Sequence, residues 1–193
     1  MTRAPLPDRP AGPDRFREEC ALMGVYGHPE AANLVYLGLY ALQHRGQEGS
    51  GIVASDGSLL LSHRGLGLVA DVFDEEVLSR LTGSMAIGHN RYATSGRTLL
   101  KNTQPFVVEF AHGGLAVAHN GNLVNFNELR ERLESGGSIF QSSSDSEVII
   151  HLVAASQAQS TVDRIIAALA QLRGAYSIAF AVRLARGRAG GPG

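Results

Sequence analysis

The chain has 193 residues, one cysteine and no tryptophan, and its net charge is −1. A single cysteine excludes an internal disulfide and any multi-cysteine metal site, and it fits a reducing compartment, here assigned as the cytoplasm. Near-zero charge leaves no basic footprint for nucleic acid and no polybasic membrane patch. No apolar run approaches the ~20 residues of a membrane span. The first 19 residues lack the apolar core of a secretory signal and hold Pro5, Pro7 and Pro10 instead. They read as a leader or propeptide. Internal repeats and a glycine-rich phosphate loop are missing too. What remains, 44% hydrophobic and 18% charged, is the composition of a soluble globular domain.

The lone cysteine stands where the proline-rich stretch gives way to an apolar run, Glu18-Glu19-Cys20-Ala21-Leu22-Met23-Gly24-Val25-Tyr26. Such a cysteine can be inert core filler. If the chain is cut after Glu19, however, Cys20 carries both a thiol and a free α-amine, and one residue supplies nucleophile and base.

Periodicity and turn signals predict a strand at Cys20 to Tyr26, a buried helix at Glu30 to Gln43 and a loop at His44 to Gly51. Asp56-Gly57 predicts a hairpin between Ile52–Ala54 and Leu59–Ser62. An amphipathic helix is expected at Asp71 to Leu81, a strand at Ser84 to His89 and a loop at Arg91 to Pro105. A second hairpin pairs Phe106–Phe110 with Leu115–His119. Asn125 with Glu128, and Ser144 with Glu147, have the spacing of capping pairs for helices ending near Ser135 and Ala155. Thr161 to Leu172 reads as a helix and Ala175 to Val182 as a strand. Hairpins followed by helices point to an α+β domain of antiparallel sheets covered by helices.

Four further segments carry chemistry-bearing residues. Gly88-His89-Asn90-Arg91-Tyr92-Ala93-Thr94 ends a strand with Arg91, either a solvated arginine or a bidentate grip on a carboxylate. Ala118-His119-Asn120-Gly121-Asn122 is either an Asn-Gly turn or an oxyanion site. In the second case the Asn120 amide and the Gly121 N–H are its donors. Ser142-Ser143-Ser144-Asp145-Ser146-Glu147 opens a helix, and Asp145 can pair with a ligand ammonium. Leu42-Gln43-His44-Arg45-Gly46-Gln47-Glu48 is either an exposed loop or a segment whose Arg45 supports the nucleophile or closes over substrate.

Taken with Cys20, these motifs resemble the class II glutamine amidotransferases, a branch of the N-terminal nucleophile hydrolases. Within that class they are most similar to the amidophosphoribosyltransferase family. Gly38-Leu39-Tyr40-Ala41-Leu42-Gln43-His44-Arg45-Gly46-Gln47-Glu48, Asn102-Thr103-Gln104-Pro105-Phe106 and Gly174-Ala175-Tyr176-Ser177 carry the likeness beyond the shared motifs.

The resemblance implies a four-layer αββα sandwich. It implies Cys20 as nucleophile, Arg91 on the glutamine carboxylate, Asp145 on its ammonium, and Asn120 with Gly121 as the oxyanion hole. It gives His89 and His119 no chemical role. Ala21 departs from the glycine that many members place after the nucleophile.

The resemblance covers Glu18 to Val182. We therefore expect a leader at 1–19, an amidotransferase domain at 20–182 that lacks later strands of the sandwich, and a flexible Arg/Gly-rich tail at 183–193. Expected partners are glutamine and, through a domain outside this chain, phosphoribosyl pyrophosphate, with homo-oligomers at full length. No cofactor is expected in this chain; magnesium and an iron–sulfur cluster are implied only for full-length members. Two alternatives stay open: the glutaminase domain of another class II amidotransferase, such as the glucosamine-phosphate-forming or asparagine-forming enzymes, and a truncated remnant that binds glutamine or a partner without turnover.

Overall fold

In the computed structural model the residues described are 20–45, 48–92 and 99–184; of Arg45 only the backbone is included. The expected leader, Gly46-Gln47, Ala93-Thr94 and the tail from 185 lie outside the described residues.

Among the described residues, seven strands build two antiparallel sheets. The first has the order β1 (Ala21–Tyr26), β4 (Met85–Arg91), β2 (Gly49–Ser55), β3 (Leu60–Leu66). The second has the order β5 (Phe106–Phe110), β6 (Gly113–Leu123), β7 (Gly174–Leu184).

Side-chain alternation along the central strands decides which layer meets which. In β2, Ile52 and Ala54 point to a core shared with α1 (Ala31–Ala41), α2 (Val69–Val72) and α3 (Glu75–Arg80), while Val53 points the other way. In β6, Leu115 and Val117 face α4 (Phe126–Ser135), α5 (Ser146–Ala155) and α6 (Thr161–Leu169). Ala116 and Ala118 turn inward to meet Val53, Ile87 and Ala181. The layers therefore run helix, sheet, sheet, helix, the expected αββα sandwich. Alanines dominate the seam between the sheets, which lets the two backbones approach closely.

Two strand glycines carry this packing. A Cβ on Gly88 would fall 2.5 Å from Val35, so α1 lies directly on β4. One on Gly51 would fall 2.1 Å from the Gln104 carbonyl, so the segment ahead of β5 lies directly on β2.

Several local expectations change. The helix expected over Asp71 to Leu81 is two helices. Phe73 is extended and buried between them, and the Asp74 carboxylate accepts the Val77 N–H at 2.7 Å, starting α3 afresh. A cap of this kind contributes about 1 kcal/mol. Asn125 makes no side-chain cap. Its amide bonds the Gln171 carbonyl at 2.9 Å and the Arg173 N–H at 3.0 Å instead, fastening α4 to the start of β7.

Ser144 and Glu147 do not form a reciprocal pair either. The Glu147 carboxylate turns back to the N–H groups of Gln141 and Ser142, at 2.8 and 2.7 Å. The loop expected to Gly51 ends at Glu48, because Gly49 to Gly51 pair with both β3 and β4. A helical turn, Leu100–Asn102, interrupts the long loop before Pro105. At the other end, β7 continues through Arg183 and Leu184, paired with Gly114 and Gly113, so the boundary expected after Val182 falls inside a strand.

Candidate active site

The site is built where the ends of both sheets meet. Ala21 pairs with Asn90, so Cys20 lies one step further along, beside Arg91 and Tyr92. The Tyr92 backbone closes on the half-buried thiol: its N–H is donated to Sγ at 3.5 Å, and its carbonyl lies 3.8 Å from the same sulfur. Cys20 has φ = 51°, a left-handed conformation that costs a non-glycine residue on the order of 1–3 kcal/mol and clusters at functional sites. Ala21 is buried and in register, so its methyl group is accommodated.

Asn120 and Gly121 arrive from β6. Asn120 follows Ala116 and Ala118 on the inward face, and its Nδ2 reaches the Cys20 carbonyl at 3.5 Å. Gly121 has φ = 142°, and a Cβ there would fall 2.3 Å from the Ala175 carbonyl, so only glycine fits.

The position of β6 at this point is fixed by a side chain. Gln104 accepts the His119 N–H at 2.7 Å and donates to the His119 carbonyl at 3.2 Å. It thereby continues the β5–β6 ladder two residues past Phe106, where Pro105 has no N–H to offer.

Arg91 and Asp145 come from different layers. Arg91 ends β4, and its Nη1 donates to the Asn102 carbonyl at 3.3 Å. Asp145 directly precedes α5; its Oδ2 accepts the Leu123 N–H at 3.4 Å and its Oδ1 lies 3.7 Å from His119 Nδ1. Both carry charges of the right sign for an amino-acid head group. Arg45 lies in the helical turn Gln43–Arg45 after α1.

Two histidines are buried here. His119 is on the helix-facing side of β6, with Nδ1 3.0 Å from Ser146 Oγ. Burial lowers its pKa, and Asp145 opposes that shift. His89 lies in the seam, fully buried, with the His119 backbone beside its ring. Burial pushes its pKa down to about 3, with His119 and Arg91 adding to the effect. Both rings are therefore neutral near pH 7. The described residues include no group of three or more His, Cys, Asp or Glu that could hold a metal ion.

A family model described as a glutamine amidotransferase domain matches residues 89–188. That is more than half of the chain. The chain belongs to the glutamine amidotransferase domain family. Within this family the chain is similar to amidophosphoribosyltransferases. It is 54% identical over 167 residues to amidophosphoribosyltransferase 3, chloroplastic, of Arabidopsis thaliana, covering 86% of this chain and 31% of that protein. It is 50% identical over 163 residues to the amidophosphoribosyltransferase of Bacillus subtilis, covering 84% and 34%.

Among solved structures, the B. subtilis glutamine phosphoribosylpyrophosphate amidotransferase complexed with ADP and GMP matches with a TM-score of 0.79 at 47% identity, over 84% of this chain and 35% of that one. A structure described as the allosteric regulatory enzyme of purine biosynthesis matches with a TM-score of 0.81 at 48% identity, over the same shares. The chain thus spans about a third of the length of the relatives it matches.

Cys20, Asn120 and the Tyr92 backbone are brought into one site, with Gly121 next to Asn120. Arg91 directly precedes Tyr92 and Asp145 is held to β6 at Leu123, while Asn102 and Ser143 lie between the two charged residues. The structure adds Gln104, Asn102 and Tyr92. The sequence signal for the first two is a polar Asn-Thr-Gln run inside a loop, of which Asn102, Thr103 and Gln104 are all buried.

Proposed function

We propose that this chain hydrolyses the side-chain amide of L-glutamine with Cys20 as the nucleophile, and that it is the ammonia-releasing part of an amidophosphoribosyltransferase. The observation that carries this reading is the approach of Asn120 Nδ2 to the main-chain carbonyl of Cys20 at 3.5 Å, which brings a neutral donor, followed in the chain by the glycine-only position 121, to the residue that bears the thiol. The similarity to amidophosphoribosyltransferases supports the wider role.

In this reading residues 1–19 are removed, which frees the Cys20 α-amine. Such an amine titrates at about 7.7–8.0, close to working pH. Arg91 holds the substrate carboxylate and Asp145 its ammonium, so the amide is presented to the sulfur. Arg45 closes over the bound substrate. The amine takes the thiol proton and the thiolate attacks the amide carbon. Asn120 Nδ2 and the Gly121 N–H receive the developing oxyanion. The amine returns the proton to nitrogen, the C–N bond breaks and ammonia leaves. Water, deprotonated by the same amine, cleaves the γ-glutamyl thioester to glutamate and regenerates the thiol.

The ammonia then displaces pyrophosphate from phosphoribosyl pyrophosphate in the portion of such an enzyme beyond the aligned segment, giving phosphoribosylamine at the entry to purine biosynthesis. Magnesium belongs to that second reaction, and full-length protein forms homo-oligomers. A reducing compartment such as the cytoplasm suits a thiol nucleophile. No helix among the described residues is long and apolar enough to cross a membrane.

The test is release of glutamate and ammonia from L-glutamine, with loss of both in Cys20→Ala. Retention of glutaminase activity by Cys20→Ala would overturn the reading.

A further inference from the structure

Arg91 and Asp145 stand on opposite sides of the seam, yet one substrate carbon bears both groups they are assigned to hold. Their separation must therefore be set by the protein. The hydrogen-bonded connection between them passes through Asn102, at the end of the helical turn Leu100–Asn102. Asn102 is buried. Its carbonyl accepts Nη1 of Arg91 at 3.3 Å. Its side chain makes a two-way contact with Ser143: Nδ2 donates to Oγ at 3.2 Å, and Oδ1 accepts the Ser143 N–H at 3.3 Å. Its own N–H is held by the Leu99 carbonyl at 2.9 Å.

Ser143 belongs to a tied unit that ends in Asp145. Glu147 accepts from the Ser142 N–H and hydroxyl at 2.7 and 2.6 Å, and Ser142 Oγ accepts the Ser144 N–H at 3.2 Å. Ser144 Oγ in turn accepts the Ser146 N–H at 3.3 Å. Burial alone would raise the Glu147 pKa, but the donors from Gln141 and Ser142 hold it below the usual value, so the carboxylate that ties the unit stays charged. A shift at Ser143 is passed along this unit to Asp145.

We propose that Asn102 is a positioning residue that sets the spacing between the Arg91 guanidinium and the Asp145 carboxylate, and thereby selects substrates bearing both an α-carboxylate and an α-ammonium. This rests on the assignment of Arg91 and Asp145 to the substrate head group. The two receptors act together only when they fit one carbon atom, and a misplacement of about 1 Å is enough to cost orders of magnitude in a positioned reaction.

The experiment compares ammonia release from three amides by the full chain: L-glutamine, glutaramate (no α-amine) and 4-aminobutanamide (no α-carboxylate). Each analogue engages one receptor, so spacing does not matter to it. Asn102→Ala is expected to lower kcat/KM for glutamine about tenfold, mainly through KM, and for either analogue less than about threefold, as suits the loss of a pair of neutral hydrogen bonds. Ser143→Ala, which removes the Nδ2-to-Oγ bond with little change of volume, should show the same selectivity at smaller size. It carries the test if Asn102→Ala lowers the unfolding midpoint. Equal losses on all three amides in these variants would overturn the inference. Arg91→Ala separates the two failures. If it raises the glutamine KM while the Asn102 and Ser143 losses are uniform, the spacing role alone fails. If it leaves the glutamine KM unchanged, the head-group assignment fails and the inference with it.

Discussion

The side-chain amide of Asn120 points at the main-chain carbonyl of Cys20, Nδ2 to O 3.5 Å, across the junction of the two sheets. The two residues are 100 positions apart in the chain. One lies at the start of the first sheet and the other near the end of the central strand of the second. The fold brings them together because β6 turns its even-numbered residues inward, and Gln104 fixes the register at His119.

Asn120 is therefore expected to matter to the reacting amide. Asn120→Ala should lower kcat for glutamine roughly 10²–10³-fold with little change in KM, since its donor meets charge that develops only in the transition state. Steady-state glutaminase kinetics read both parameters. An unchanged kcat would remove Asn120 from the oxyanion site.

Arg91→Ala and Asp145→Ala should act the other way. Each removes a charged contact to the part of the substrate that does not react, so the loss is expected chiefly in KM. Hydrogen bonds to charged groups contribute roughly 1.5–3 kcal/mol, which corresponds to about a 10- to 150-fold rise. The same kinetics, with inhibition by L-glutamate as an independent measure of head-group binding, check this. A variant with normal KM but depressed kcat would reassign its residue.

Much of this site is legible in the amino-acid sequence. The strand-end position of Arg91, the break at Cys20 and the helix start at Asp145 follow from local pattern and motif, and antiparallel sheets covered by helices follow from the hairpin-then-helix order. Asn120 and Gly121, expected at a strand end or turn, instead lie inside β6, paired with Ser177 and Tyr176. The rest is decided by tertiary contact. Gly49 to Gly51 read as loop because glycine is a poor strand former, yet two neighbouring strands pair with it. Asn125 has the composition of a cap, but its amide is taken by Gln171 and Arg173, nearly 50 residues away. Gln104 and Asn102 have the look of loop polarity. Their roles appear only once β6 and the Ser142–Ser146 turn are folded against them. The Asp71 to Leu81 pattern is helical throughout, but burial of Phe73 and the Asp74 cap divide it.

A pH dependence of stability follows from the buried histidines. In the folded protein His89 is held neutral down to about pH 3, and His119 is shifted in the same direction. An unfolded histidine takes up its proton near pH 6.5. Below that value the unfolded state binds more protons than the folded one, so stability falls as pH drops from about 6.5 towards the folded values. Urea-unfolding midpoints between about pH 4.5 and 7.5 should show this slope, and His89→Gln should reduce it by about one proton. The same slope in His89→Gln would mean that His89 is protonated in the folded state.

The central claim is that Cys20, with its α-amine freed, is the nucleophile. Intact-mass analysis of active protein treated with an electrophilic glutamine analogue tests it most directly. The account predicts a chain beginning at Cys20 that carries one adduct on that residue, with glutamate release lost in proportion to labelling. Full glutaminase activity from protein that still carries residues 1–19, or full labelling elsewhere with Cys20 unmodified, would contradict it.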